Sequence, residues 1–414
     1  MFEFKKFILD NGLVLIVNED YTTPLVAINV LYKVGSRDED ENRTGFAHLF
    51  EHLMFGGSKN IPSFDEPLQM VGGDNNAFTN SDITNYYVTV PSENIETALW
   101  LESDRMLELN FSNEGLKVQQ NVVTEEFRQR YLNQPYGDIW LLLRPLAYKK
   151  HSYQWPTIGK SISHIQDATL SDVKSFFYSH YAPNNAVITI SGNIKSEKAL
   201  KLVEKWFGDI PNRSIKQRNI PAEPVQNEGR LQTVNRKVPY DAVYKAWHIG
   251  GRTSQEFLVT DLITDTLSSG KSARLYQQLV KEQKLFSEIN AFVTGEADPG
   301  LLIVGGKLFD GVSAEKANGA VNSFLADFTE HLPDANEMQK VKNKFEFNFM
   351  MGQTNILNKA MGLSLFEMLG DASMALTEME RYNKITTADI RETAKQVFKE
   401  SNCSTLFYLS ERSL

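Results

Sequence analysis

Cysteine is almost absent from this chain: of 414 residues only Cys403 carries a thiol. No intramolecular disulfide can form, and no cysteine-based metal cluster can be assembled. Long apolar runs are missing too. None approaches the length of a membrane span, so no spanning segment is expected. Positive charge is in deficit: 43 Lys and Arg stand against 52 Asp and Glu, a formal net charge of -9. That balance argues against a nucleic-acid or anionic-membrane surface. The opening Met1-Phe2-Glu3-Phe4-Lys5-Lys6-Phe7 lacks a basic start followed by an apolar block. A cytoplasmic location is therefore expected, with a periplasmic one open to a chain numbered from a processed form. Gly270-Lys271-Ser272 offers the end of a phosphate-binding loop, but Asp265 stands where such a loop needs its first glycine. Histidine is scarce, at 7 residues, which gives weight to any cluster of it.

What remains is a soluble, globular composition, 42% hydrophobic and 23% charged, long enough for two domains with a core each. Strand-like and helix-like periods mix without regular βαβ alternation, which predicts an α+β fold. Asp10-Asn11-Gly12 reads as a hairpin turn between short apolar runs, and Leu25 to Tyr32 as a largely buried strand. Helices are predicted around 44–55, 94–108, 115–132, 168–179 and 195–207, with Asp172 and Ser196 near the starts of the last two. The segment Phe345 to Met351 reads as a core helix, and His151, His164 and His180 as structural residues. A polar, proline-bearing stretch over 210–230 reads as a linker between domains 1–215 and 216–414.

The two halves echo one another. Lys33-Val34-Gly35-Ser36-Arg37 is matched by His248-Ile249-Gly250-Gly251-Arg252, Asn76-Ala77-Phe78 by Asn290-Ala291-Phe292, and Gly56 by Gly270. The offsets of 215, 214 and 214 residues are nearly constant, as a duplication requires. At an offset of 214, His48, Glu51 and His52 fall on Leu262, Asp265 and Thr266. The second half is thus expected to repeat the scaffold without the chemistry.

That chemistry lies in His48-Leu49-Phe50-Glu51-His52. Histidines at i and i+4 of a helix project from one face, so a single metal ion can take a nitrogen from each. Glu51 shares the face and is placed to accept a proton from a water beside the metal. Thr44 is a candidate N-cap, and Ala47, Leu49, Phe50, Leu53, Met54 and Phe55 supply a broad apolar surface. A hydrolytic zinc site takes three protein ligands and keeps one position open. Glu125 and Glu126 are both candidates for the third ligand, and periodicity does not separate them.

The motif and its surroundings resemble the M16 (pitrilysin-like, inverzincin) metallopeptidases, in the short subfamily related to mitochondrial processing peptidase. The resemblance is carried by Leu9-Asp10-Asn11-Gly12-Leu13, by Gly45 to Phe55, by Gly72-Gly73 leading into Asn76-Ala77-Phe78-Thr79, and by Val122-Val123-Thr124-Glu125-Glu126 through Gln134-Pro135-Tyr136-Gly137. It implies two homologous α+β halves of the processing-peptidase-like metallohydrolase fold. It also implies Zn2+ held by His48, His52 and Glu126, with Glu51 as general base. Asn76, Ala77, Phe78 and Thr79 would lie on an edge strand that takes an extended peptide or unfolded polypeptide as an added strand.

Two departures stand out. Gln119 occupies a position where many relatives carry a second glutamate. Val280 and Ser287 stand where the resemblance implies an arginine and a tyrosine that orient substrate and stabilise the oxyanion. The chain therefore resembles the zinc-bearing member of a pair whose homologous partner supplies those two groups. The alternatives are a homodimer, or a non-catalytic structural, assembly or peptide-binding subunit of the same fold.

Overall fold

The computed structural model describes residues 2–216 and 219–411. Of the expected linker, residues 217 and 218 lie outside the described residues, as do Met1 of the opening segment and 412–414 of the second expected half. The chain forms two compact units that are discontinuous in sequence. The first comprises Met1–Gln129, Trp155–Ile220 and Phe349–Thr377; the second comprises Arg130–Gln154, Pro221–Asn348 and Glu378–Leu414. Each pairs one mixed sheet with helices, so the fold is α+β, as the mixed periodicity anticipates.

The first sheet contains β1 (Lys5–Ile8), β2 (Val14–Glu19), β3 (Leu25–Tyr32), β4 (Asp74–Thr79), β5 (Thr84–Pro91) and β6 (Ala186–Gly192), in the order β1-β2-β6-β3-β5-β4. The hairpin turn falls where Asp10-Asn11-Gly12 predicts, with Gly12 at φ 86° and Ile8 opposite Val14. The second sheet contains β7 (Arg230–Arg236), β8 (Ala242–His248), β9 (Phe286–Val293), β10 (Leu301–Leu308) and β11 (Cys403–Ser410), in the order β7-β11-β8-β10-β9. Without β1, the first order maps onto the second strand for strand. The senses agree as well: β2 and β6 run parallel, as do β7 and β11, and the remaining pairs are antiparallel. Asn76-Ala77-Phe78 on β4 and Asn290-Ala291-Phe292 on β9 occupy equivalent edge strands, as the repeat predicts.

β3 is buried from Val26 to Tyr32 because both faces of the first sheet are covered. One cover is the helix Ile356–Met368, which comes from the second half of the sequence. Its Leu363 and Phe366 pack on Ile16 and Val187, and its Ser364 hydroxyl accepts from Asn29 Nδ2 at 2.9 Å. The second sheet has a matching cover from the first half: the helix Ile139–Ala147 sets Leu143, Leu146 and Ala147 against Ala242, Ala246 and Leu406.

Two sequence expectations change. The helix containing Phe345 to Met351 forms, within Ala335–Gly352, but its buried residues are Met338 and Val341, while Phe347, Met350 and Met351 are more than half exposed. Only Phe345 of the run joins the core, where its ring stacks on Tyr382 at 3.7 Å. The helix expected over 115–132 is α-helical as Asn113–Phe127 and widens to a π turn over Arg128–Leu132. Among the described residues no helix is long and apolar enough to cross a membrane.

Candidate metal centre

The histidine motif lies on the helix Phe46–Leu53. Phe46, Ala47, Leu49 and Phe50 are buried along one side, leaving His48, Glu51 and His52 on the partly open side. The Phe50 ring stacks on Phe176 at 5.2 Å and on Tyr181 at 4.9 Å. The Tyr86 hydroxyl, from β5, donates to the Phe50 carbonyl at 3.2 Å. Burying a phenylalanine so completely contributes about 2–3 kcal/mol, and here it fixes the rotation of the helix about its axis.

The start of this helix is not the one the sequence suggests. Thr44 is not the cap. The cap position is Gly45, in the left-handed region at φ 92°, where a Cβ would lie 2.7 Å from the Ile158 carbonyl oxygen and 2.8 Å from Ile165 Cδ1. Only glycine fits there without moving backbone. The free helix donors are met by a carboxylate brought from upstream: Glu39, 1% exposed, accepts from Gly45 N and Ala47 N at 2.8 Å each. An anion at this end also meets the positive pole of the helix. Thr44 instead accepts from Lys160 N at 2.8 Å, and its hydroxyl lies 2.9 Å from His164 Nδ1. Thr44 N donates to the same nitrogen at 3.1 Å, which makes Nδ1 an acceptor and puts the ring proton on Nε2. Burial, reinforced by Lys160, holds the His164 pKa below its ordinary value, so the neutral ring suits this bond. His164 is thus structural, as expected.

The third candidate ligand arrives on the helix Asn113–Phe127, whose buried side carries Leu116, Gln120, Val123, Thr124 and Phe127. Gln120 Nε2 donates to the carbonyls of Ile165 and Ala168 at 2.8 and 2.9 Å. This register separates the two glutamates. Glu125 points outward to Arg128, with more than half of its side chain exposed. Glu126 turns inward. Its Oε2 lies 3.6 Å from His48 Nε2 and 3.4 Å from His52 Nε2, and all three donor atoms fall within 4.8 Å of one another. Gln119 is on the same helix and partly buried.

The dimensions of the cluster suit zinc. Two ligands about 2.05 Å from a tetrahedral ion sit roughly 3.3 Å apart, close to the 3.6 and 3.4 Å that separate Glu126 from the two histidines. Two imidazoles and one carboxylate form a donor set used by hydrolytic zinc sites, with the fourth position open. The side chains are 12% (His48), 24% (His52) and 18% (Glu126) exposed, so solvent reaches the cluster from one side. The residues present fit the ion.

Against Phe55, just past the end of the histidine helix, lies a cation that sequence reasoning passes over. Arg105, 1% exposed, stacks between Phe64 at 4.3 Å and Tyr86 at 4.4 Å. Its Nε donates to Glu102 at 2.9 Å. Burial pushes the Glu102 carboxyl up, with Arg105 opposing. Their i, i+3 spacing was readable as a helix-surface pair, but its burial was not.

Asn76 to Thr79 lie on β4, which pairs only with β5 and so forms one edge of the sheet. Asn76 and Phe78 are exposed, while Ala77 and Thr79 are partly covered. Ala77 N is met at 2.8 Å by the Asn76 side-chain oxygen, so this edge donor points away from β5. In the second unit Val280 packs against the core, and the exposed Ser287 donates to the Lys307 carbonyl at 3.2 Å.

Comparison with known proteins identifies the family. Residues 14–146 match the family described as Insulinase (Peptidase family M16), and residues 167–345 match the family described as Peptidase M16 inactive domain. The zinc protease PqqE of Helicobacter pylori is 30% identical, over 96% of this chain and 91% of that protein. An uncharacterized zinc protease of Bacillus subtilis, YmxG, is 25% identical over 96% of each. The crystal structure of a protease from Helicobacter pylori superposes with a TM-score of 0.92 at 26% identity, covering 99% of this chain and 100% of that one. Two domain matches, a relative similar over nearly its full length and a shared architecture place this chain in the M16 family of zinc peptidases.

Proposed function

We propose that this chain is the zinc-bearing subunit of a metalloendopeptidase acting on peptides or unfolded polypeptides. In this reading His48, His52 and Glu126 hold the ion and Glu51 is the general base. The observation that carries it is the convergence of three ligand atoms within 4.8 Å, from two helices. When bound, zinc supplies Lewis acidity and lowers the pKa of water toward about 7. Glu51 then accepts the proton of the attacking water and returns it to the leaving amine. The open edge of β4, at Asn76 to Thr79, takes the substrate as an added strand, whose main-chain hydrogen bonds demand little of its sequence. Val280 and Ser287 supply neither a guanidinium nor a phenol, so a homologous partner provides the groups that steady the oxyanion.

Those same two residues favour a second reading, a non-catalytic assembly or peptide-binding subunit. One experiment separates the two: zinc analysis and a quenched-peptide assay, with and without a homologous chain bearing the arginine and tyrosine. The enzyme reading expects about one zinc per chain, retained in Glu51→Gln and Glu125→Ala but lost in Glu126→Ala. It expects cleavage only with the partner, reduced by roughly 100-fold to 10,000-fold in Glu51→Gln. Strong turnover by the chain alone overturns the division of labour. Zinc without cleavage in the reconstituted pair leaves the second reading standing.

A further inference from the structure

A cavity of about 560 Å³ opens in the second unit. It lies between β7, β8 and β11 on one side and the helices Ala314–Glu330 and Thr387–Val397 on the other. Its volume is that of a site for a small organic molecule. At its base is a charged residue that the scaffold does not require. Lys245, 3% exposed, donates from Nζ to Asn318 Oδ1 at 2.6 Å and to Thr405 Oγ1 at 3.2 Å. At an offset of 215 the first sheet has Val30, whose cross-strand partner is Ile188. An apolar pair serves that scaffold, and a lysine facing Thr405 replaces it here.

Two of the three ammonium donors meet Asn318 and Thr405, and the third faces the Cys403 thiol, a weak acceptor. Among the described residues no carboxylate lies within ion-pair distance of it. A second buried donor stands beside it: Trp247 Nε1, in a residue 2% exposed, has no acceptor among the described residues. Burying a charge and a donor with incomplete partners is costly unless something completes them. The rim carries Lys399 and Glu400, together with Lys395, which pairs with Glu330 at 3.1 Å, and Arg230, which donates to the Leu146 carbonyl at 3.0 Å. Leu231, Leu325, Phe398 and Phe407 supply an apolar wall.

We propose that this cavity binds a small amphipathic monocarboxylate, its carboxylate taken by Lys245 and Trp247 and its apolar body by the wall. Of the cations in the lining only Lys245 is buried, and one buried ammonium balances a single negative charge. Two sources share this chemistry, a free fatty acid and the C-terminal residue of a peptide. The proposal is independent of the metal cluster and of catalysis.

The test uses the full chain. Decanoate, decanoate methyl ester, and N-acetyl-Ala-Ala-Phe with a free or an amidated C terminus are titrated by calorimetry. Cys403, the sole cysteine and part of the lining, reports location through its rate of reaction with a disulfide reagent. At least one of the two acids is expected to bind below about 1 mM and to slow Cys403 labelling, with the matching ester or amide weaker by roughly tenfold or more. Lys245→Met is expected to weaken the acid by roughly tenfold to a hundredfold, and Trp247→Phe by about fivefold. Whichever acid binds identifies the source. No binding by either acid, equal binding of acid and neutral analogue, or unchanged Cys403 labelling at saturation overturns the proposal. So does unchanged affinity in the variants. If Lys245→Met does not fold, Trp247→Phe and the neutral analogues still decide.

Discussion

Glu39 holds the start of the histidine helix, and Glu39→Gln tests how much that matters. The wild-type carboxylate accepts from Gly45 N and Ala47 N at 2.8 Å each while 1% exposed. Glutamine keeps one acceptor oxygen and turns an NH2 donor toward the other N–H. One charge-assisted bond is lost and the second falls to neutral strength, about 2–3 kcal/mol in all. The lost favourable charge at the helix terminus adds about 0.3–1 kcal/mol. The sum, about 3 kcal/mol, is roughly a hundredfold in the opening equilibrium of the first turn. Native-state hydrogen exchange reads this directly, because Leu49 N closes that turn on the Gly45 carbonyl at 2.9 Å. Exchange at Leu49 should quicken by roughly a hundredfold while the sheet amides stay unchanged. Zinc affinity, measured by chelator competition, should fall by no more than that factor, since only the fraction with the turn formed binds. A change below about threefold at Leu49 would refute the assignment of the cap to Glu39.

One glycine and two partly buried histidines give two further outcomes. Gly45→Ala places a methyl group 2.7 Å from the Ile158 carbonyl oxygen at a φ of 92°, so thermal unfolding should show a loss of about 2 kcal/mol or more. His164 and His248 both have folded pKa values below the ordinary 6.5, chiefly through burial. The unfolded chain therefore takes up protons first on acidification. The stability these rings contribute is complete above pH 6.5 and is lost as the pH falls through the lower folded values. Melting curves across that range should show the decline, and His164→Gln should flatten it.

The side-chain cluster of the candidate metal site is half legible in the sequence. His48, Glu51 and His52 are local, and a four-residue spacing on one helix face needs no tertiary knowledge. Glu126 is different. Its separation from Glu125 depends on which side of the Asn113–Phe127 helix is buried, and polar Gln120 and Thr124 share that buried side with Val123 and Phe127. The duplication was readable from three short matches because the strand edges that carry them repeat. The cap was misread because Thr44 has the right side chain, while Gly45 alone has the conformation. Glu39 acts across an intervening loop, and no periodicity marks such a residue. The exposure of Phe347, Met350 and Met351 was equally invisible, since apolar spacing says what a helix offers and not what covers it.

The exchange of covering helices bears on how the chain is made. The first sheet's hydrophobic cover includes Leu363, Phe366, Ala372 and Ala375, which leave the ribosome well after Val187 has been synthesised. The amino-terminal unit therefore cannot complete its core during its own translation, and Ile16 and Val187 wait for a segment that arrives near the end. Cutting the gene at the 210–230 linker would not yield two self-sufficient domains: each fragment would keep a helix belonging to the other and lack one of its own. Neither sheet finds its full cover within its own half of the sequence, so the two halves are expected to fold together rather than one after the other.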